Sequence, residues 1–154
     1  MSPALWIAAA VGVAATVEDL ARRRISNWIP ISALVCGVGY QAVTSGWTGA
    51  GTACLGALSG FGVFLVFYLL GGMGGGDVKL MAGFGALLGP GRLLEASLWT
   101  AAFGGLIAAG VILFRKCRRP CLAAEARPER AGAEFIPYAP AISLGAVVTL
   151  LSKA

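Results

Sequence analysis

One carboxyl set between two long apolar runs constrains this chain more than any other feature. Asp77 follows the stretch Gly71-Gly72-Met73-Gly74-Gly75-Gly76, and no charged side chain lies between it and Arg24. Five glycines in six residues permit positive φ and close approach of another chain. The helix-competent run beginning at Val78 then sets Asp77 at a helix N-terminus, where the macrodipole favours negative charge. Such a loop reads as a hinge or a cleft, against the plainer alternative of a glycine turn carrying a charge at the water boundary.

Composition selects the setting. Of the 154 residues, 58% are hydrophobic and 12% charged, and the mean hydropathy is +0.82. Soluble domains carry roughly 25% charged residues, so the chain reads as an integral membrane protein. Its apolar segments are Pro3 to Val17, continuing into Glu18-Asp19-Leu20, then Trp28 to Val43 and Gly51 to Leu70. Val78 to Leu88, Leu93 to Phe114 and Ile136 to Leu151 follow. At about 20 residues per crossing these predict an all-α, polytopic bundle of about six transmembrane helices with the fourth short. The whole of 1–154 reads as a single membrane domain with a polar loop at about 115–134. No basic segment precedes the first span, so it reads as a span rather than a cleavable signal. The Gly56-x-x-x-Gly60 spacing predicts a smooth helix face for close packing.

If six spans alternate, Arg22, Arg23, Arg24, Lys79, Arg115, Lys116, Arg118, Arg119, Arg127 and Arg130 share one side, against Arg92 and Lys153 on the other. The positive-inside rule places the first set, with the 115–134 loop, in the cytoplasm and both termini outside. The same sidedness accounts for a pI near 9.4 through attraction to anionic lipid, without nucleic acid as a partner. The chain has no histidine, which excludes Ser-His and Cys-His nucleophilic systems. Cys36 and Cys54 read as small buried thiols. Cys117 and Cys121 supply two ligands where a structural zinc site needs four, so neither metal nor other cofactor is expected, and both should be free thiols in a reducing cytosol.

The chain has only two aspartates. Asp19 ends the first span and Asp77 starts the fourth, which puts both at the same membrane face. Two carboxyls sharing a site divide into one that keeps its proton and one that serves as base, the arrangement that activates water for peptide hydrolysis. Helix dipoles favour charge on Asp77, at an N-terminus, over Asp19, at a C-terminus. Read singly, Asp19 and Glu18 are solvated interfacial charges, and Lys79 is a snorkelling anchor or a ligand for lipid phosphate.

Gly74-Gly75-Gly76-Asp77 followed by Val78-Lys79 resembles the GxGD signature of the type IV prepilin peptidases, a group of aspartic peptidases. Asp19 followed by Arg22-Arg23-Arg24-Ile25-Ser26-Asn27 is similar to the family's first aspartate and its short basic segment, with Ser26 where proline is usual. Ile136-Pro137-Tyr138-Ala139-Pro140-Ala141 is similar to its last span. The resemblance implies a bacterial inner-membrane endopeptidase with Asp19 and Asp77 catalytic and Gly74, Gly76 and Lys79 supporting. It further implies cleavage of the basic leader of a prepilin before its hydrophobic helix, at the cytoplasmic face. The chain lacks the paired Cys-x-x-Cys insertion of longer members and resembles the short form of tight-adherence (Flp) pili, so the resemblance does not extend to N-methyl transfer. The competing class is a small proton-coupled transporter or assembly scaffold, which predicts carboxyls along a path across the membrane.

Overall fold

A computed structural model describes residues 3–22, 24–71, 73–118 and 138–152. These form five helical elements: α1 (Pro3–Arg22), α2 (Trp28–Leu69), α3 (Gly75–Leu88), α4 (Pro90–Arg118) and α5 (Ala139–Leu151). The architecture is all-helical, as the apolar runs predict. Three of the helices, α1, α2 and the Pro90–Gly110 part of α4, have the length and apolar composition to cross a membrane. The exterior is apolar too: Val13, Leu20, Val43, Leu58, Leu98 and all four tryptophans are exposed. That inversion suits a solvent of lipid tails rather than water.

The second element is two arms, not one rod. Gly46 takes φ 63° and ψ −146°, a conformation that glycine adopts without the Cβ penalty. A Cβ at Gly49 would strike the carbonyl of Gln41, although eight residues of straight helix would separate these positions by about 12 Å. The chain therefore doubles back. The uncharged linker expected over Thr44 to Gly49 is helical except at that one glycine.

α3 lies in the cleft between the arms. Gly83 and Gly37 bring α3 onto the first arm: a Cβ on Gly83 would meet the Ala33 side chain at 2.6 Å, and one on Gly37 would meet the Leu87 nitrogen at 2.8 Å. On the second arm Gly56 meets the Gly85 backbone directly, and a Cβ on Gly60 would come within 2.8 Å of the Met81 carbonyl. The Gly56-x-x-x-Gly60 face thus has α3 as its partner. Where helices pack in lipid, such backbone approach supplies the dispersion contact that water would otherwise drive. Gln41 Nε2 donates to the Leu87 carbonyl over 3.3 Å, satisfying one of the carbonyls orphaned at the end of α3.

The remaining helices form a second group. A Cβ on Gly12 of α1 would meet the Ser143 Cβ of α5 at 2.8 Å, and one on Gly145 would meet Thr100 Oγ1 of α4 at 2.5 Å. Ser143 Oγ donates to the Gly12 carbonyl (3.2 Å) and to Ala139 O (2.7 Å). α5 is thereby held between α1 and α4.

Several boundaries differ from expectation. α3 begins at Gly75 rather than Val78, so its 14 residues cover about 21 Å of a core of about 30 Å. It is short, as predicted, but less so. α4 continues beyond Phe114 to Arg118, taking the first residues expected in the polar loop. The rest of that loop, Cys121, and the Ile136-Pro137 entry to the last helix lie outside the described residues, as does the Cys117 side chain. Cys36 and Cys54, expected as buried thiols, are exposed on the bundle's outer surface.

Candidate active site

Asp19 closes a stripe. The buried positions of α1 include Ala4, Ala8, Gly12, Ala15 and Asp19, whose spacing of three or four residues keeps them on one helix face. Apart from Leu5, the buried residues above Asp19 are small, so α5 packs closely against this face and the carboxyl is carried inward with it. Asp19 is 1% exposed, which removes the solvated-charge reading.

Asp77 is placed by the start of α3. Gly74 is the residue before the helix, with extended φ −77° and ψ 147°, and Asp77 is the third residue of the first turn. It is 2% exposed. A side chain at this position reaches back toward the amide of the residue before the helix. The Gly74 backbone stands beside the Asp77 carboxyl, yet Oδ1 has no hydrogen-bond partner.

The two carboxyls come together, near enough to interact electrostatically. Burial of a like-charged pair is costly unless the pair holds a proton or meets donors. Asp19 Oδ1 and Oδ2 and Asp77 Oδ1 are buried without any protein partner. The Ala139 backbone, first residue of α5, lies against Asp19 but outside the geometry of a formed hydrogen bond. The site therefore gathers two helix N-termini, of α3 and α5, whose partial positive charge faces the pair. Asp19 thus also borders a helix start, one that the sequence did not place there, so helix dipoles act on both carboxyls and not on Asp77 alone.

The supporting positions have specific contacts. Gly76 faces the segment that follows α1, and a Cβ there would sit 3.0 Å from the Ile25 Cβ. Of the described loop glycines only Gly71 uses positive φ, at 76°; Gly76 serves close approach instead, and Gly74 is the extended residue before α3. Lys79 is exposed, and its ammonium donates to Asn27 Oδ1 over 2.8 Å.

Glu18, expected as a solvated charge, and its neighbours Ser26 and Asn27 take bracing roles that the sequence did not assign. The Glu18 carboxylate accepts from the Ser26 amide (2.9 Å) and the Ser26 hydroxyl (2.6 Å), with Arg22 Nη1 at 3.8 Å. Glu18 is thus the brace of the Arg24–Asn27 turn, which carries Ile25 onto the glycine loop. Ser26 supplies amide and hydroxyl donors, both of which a proline there would lack. Asn27 ties the same turn to α3. Nothing local marks these partners, since Asn27 and Lys79 are 52 positions apart.

The model of the type IV leader peptidase family matches residues 6–109, a stretch that contains both aspartates and the whole of α3. The chain is also similar to a prepilin leader peptidase/N-methyltransferase of Bacillus subtilis (strain 168), 33% identical over 99 residues. That match takes in 63% of this chain and 35% of the relative, so the chain spans well under half of the relative's length. No solved structure matches.

Proposed function

The chain belongs to the type IV leader peptidase family, and from that premise we propose that it is a membrane-embedded aspartic endopeptidase with Asp19 and Asp77 as its catalytic pair. The substrate is the precursor of a type IV pilin of the Flp kind, cut between its basic leader and its hydrophobic helix. The observation that carries this reading is the convergence of the only two aspartates, from helices 58 positions apart, into one buried place with three carboxyl oxygens unpartnered. Unpaired buried carboxyl oxygens are costly, and water and a peptide carbonyl are the partners they suit.

In this mechanism one aspartate takes a proton from water as the water attacks the scissile carbonyl, and the other, protonated, donates to the carbonyl oxygen. The proton held by the first then passes to the amine as the C–N bond breaks, and the second aspartate recovers its proton from the diol hydroxyl as the new carboxyl forms. Gly74 and Gly76 leave room for a substrate strand to approach over the start of α3. The braces from Glu18 to Ser26 and from Lys79 to Asn27 keep the Arg24–Asn27 turn against that strand's path. The reading stops at peptide cleavage and includes no methyl transfer.

Six crossings with both termini outside complete the proposal, since they put the aspartates and Arg22, Arg24 and Lys79 at the cytoplasmic face of the inner membrane. Reporter fusions after Thr48 and after Glu125 should then report outside and inside respectively. A proton-relay transporter is not favoured. Of the two other described carboxyls, Glu18 is held by Ser26 at the same end as the pair, and Glu95 accepts a hydrogen bond from Ser152 at an exposed position; neither makes a path across the membrane.

Co-expression with Flp-type pilin precursors tests the function. Leader loss, read as a gel shift and by N-terminal mass, is the expected result. Intact precursor beside a folded, membrane-inserted chain, across a panel of such precursors, would overturn it.

A further inference from the structure

Lys79 and Asn27 stand over a cavity that the peptidase reading does not use. The cavity measures about 370 Å³ and is lined below them by Pro30, Ile31 and Leu34 of the first arm of α2, Phe61 of the second arm, and Ala82 and Gly83 of α3. Apart from Lys79 and Asn27 its walls are apolar. From Asn27 to Leu34 is seven residues, so the groove descends about 10 Å along the helix axis.

The head of the groove carries donors in excess. An ammonium has three N–H donors and no acceptor, and one of those of Lys79 is used on Asn27 Oδ1. That bond engages the Asn27 oxygen and leaves its amide nitrogen, with two more donors, without an acceptor among the described residues. Among the described residues no carboxylate pairs with Lys79. Glu18, the carboxylate at this end of the bundle outside the aspartate pair, is already held by Ser26 and Arg22. Besides Lys79, Glu18 and that pair, the charged side chains described at this end, Arg22 and Arg24, are cations.

From this arrangement we infer that the groove between α2 and α3 is a binding site for an anionic phospholipid, its phosphodiester on Lys79 Nζ and Asn27 Nδ2 and an acyl chain along Ile31, Leu34 and Phe61. The chemistry matches end for end: two or more donors for phosphate oxygens, then an apolar channel opening sideways into the bilayer. A zwitterionic headgroup would bring its own cation against Lys79 and is disfavoured. The lipid would bridge the start of α2 to the start of α3, two residues beyond Asp77. The inference rests on the membrane setting and on these side chains, not on the peptidase activity.

The test is native mass spectrometry of the full chain, released from uncharged detergent containing equal amounts of phosphatidylglycerol and phosphatidylcholine with matched acyl chains. The wild type should retain one phosphatidylglycerol in preference to phosphatidylcholine by about fivefold, the effect of one basic side chain at a membrane surface. Lys79→Gln should abolish the preference and Lys79→Arg should keep it. Ile31→Trp, at an exposed position that tolerates a larger ring, should reduce retention of both lipids by filling the groove. Absence of preference in the wild type, or its persistence in Lys79→Gln, would overturn the site. Unchanged retention in Ile31→Trp, or displacement by glycerol 1-phosphate alone at equal concentration, would show a headgroup contact without the groove and overturn it as well.

Discussion

The helix that carries Asp77 is enclosed on nearly every side, whereas the helix that carries Asp19 is buried along one stripe. Ten of the 14 residues of α3 are buried, against six of the 20 in α1. α3 is clasped by both arms of α2 through backbone contacts at Gly37, Gly56, Gly60, Gly83 and Gly85. α1 instead leans on α5 through Gly12, where a Cβ would sit 2.8 Å from the Ser143 Cβ and 3.6 Å from its backbone, a looser approach than the direct backbone contact at Gly56. The site lies where these two groups meet, and α1 and α3 touch each other only lightly. One carboxyl is thus fixed in a rigid cradle while the other is delivered by a helix with freedom to shift. Under the proposed function, in which a substrate helix enters from the bilayer and two carboxyls close on one peptide bond, that division would serve the chemistry, since a small misplacement at the reacting atoms costs rate steeply.

The contrast can be broken at its strongest point first. Gly85→Leu forces a branched side chain into the Gly56 backbone and should cost about 3 kcal/mol of stability, seen as a lowered unfolding midpoint in detergent. Gly12→Ala tests the looser group. Its new methyl meets Ser143 at 2.8 Å from Cβ and 3.6 Å from Cα, with no carbonyl struck, and a loss of about 1 kcal/mol is expected. A loss as large as that of Gly85→Leu would show the two groups to be equally rigid.

Gly76→Ala probes the junction between them. The added methyl presses on Ile25 at 3.0 Å, so the expected outcome is a severalfold slower leader cleavage with the unfolding midpoint nearly unchanged. Equal effects on both readouts would mean that the contact holds the fold rather than the site. Gly39→Ala meets nothing within 4 Å, and its stability should stay within about 0.5 kcal/mol of the wild type.

What the sequence discloses divides along the same line. Apolar runs and the GxGD loop made the helices, the short fourth span and the two aspartates legible, because membrane length and helix rise are simple constraints. The face of Asp19 was also there to be found, in the three- and four-residue spacing from Ala4 through Ala8, Gly12 and Ala15. Gly46 was less legible, because one glycine turns the chain between residues that stay helical on both sides. The braces from Glu18 to Ser26 and from Asn27 to Lys79 had no local signature. Each needs a turn or a distant helix to bring ordinary polar residues together, and composition treats all four as solvated. The start of α5 beside Asp19 was hidden for the same reason, as it joins the two ends of the chain.

The central claim is that Asp19 and Asp77, one from each group of helices, act as a single catalytic unit, and a double-mutant cycle tests it most directly. Leader cleavage of one pilin precursor is measured with membranes carrying the wild type, Asp19→Asn, Asp77→Asn and the double variant, each checked for insertion and unfolding midpoint. Each single substitution should lower the rate by about 10²- to 10⁴-fold, as loss of an acid-base group does. The double variant should be no slower than the singles, because groups that act as a unit are lost together. Wild-type cleavage by either single variant, or losses that multiply in the double, would contradict the account.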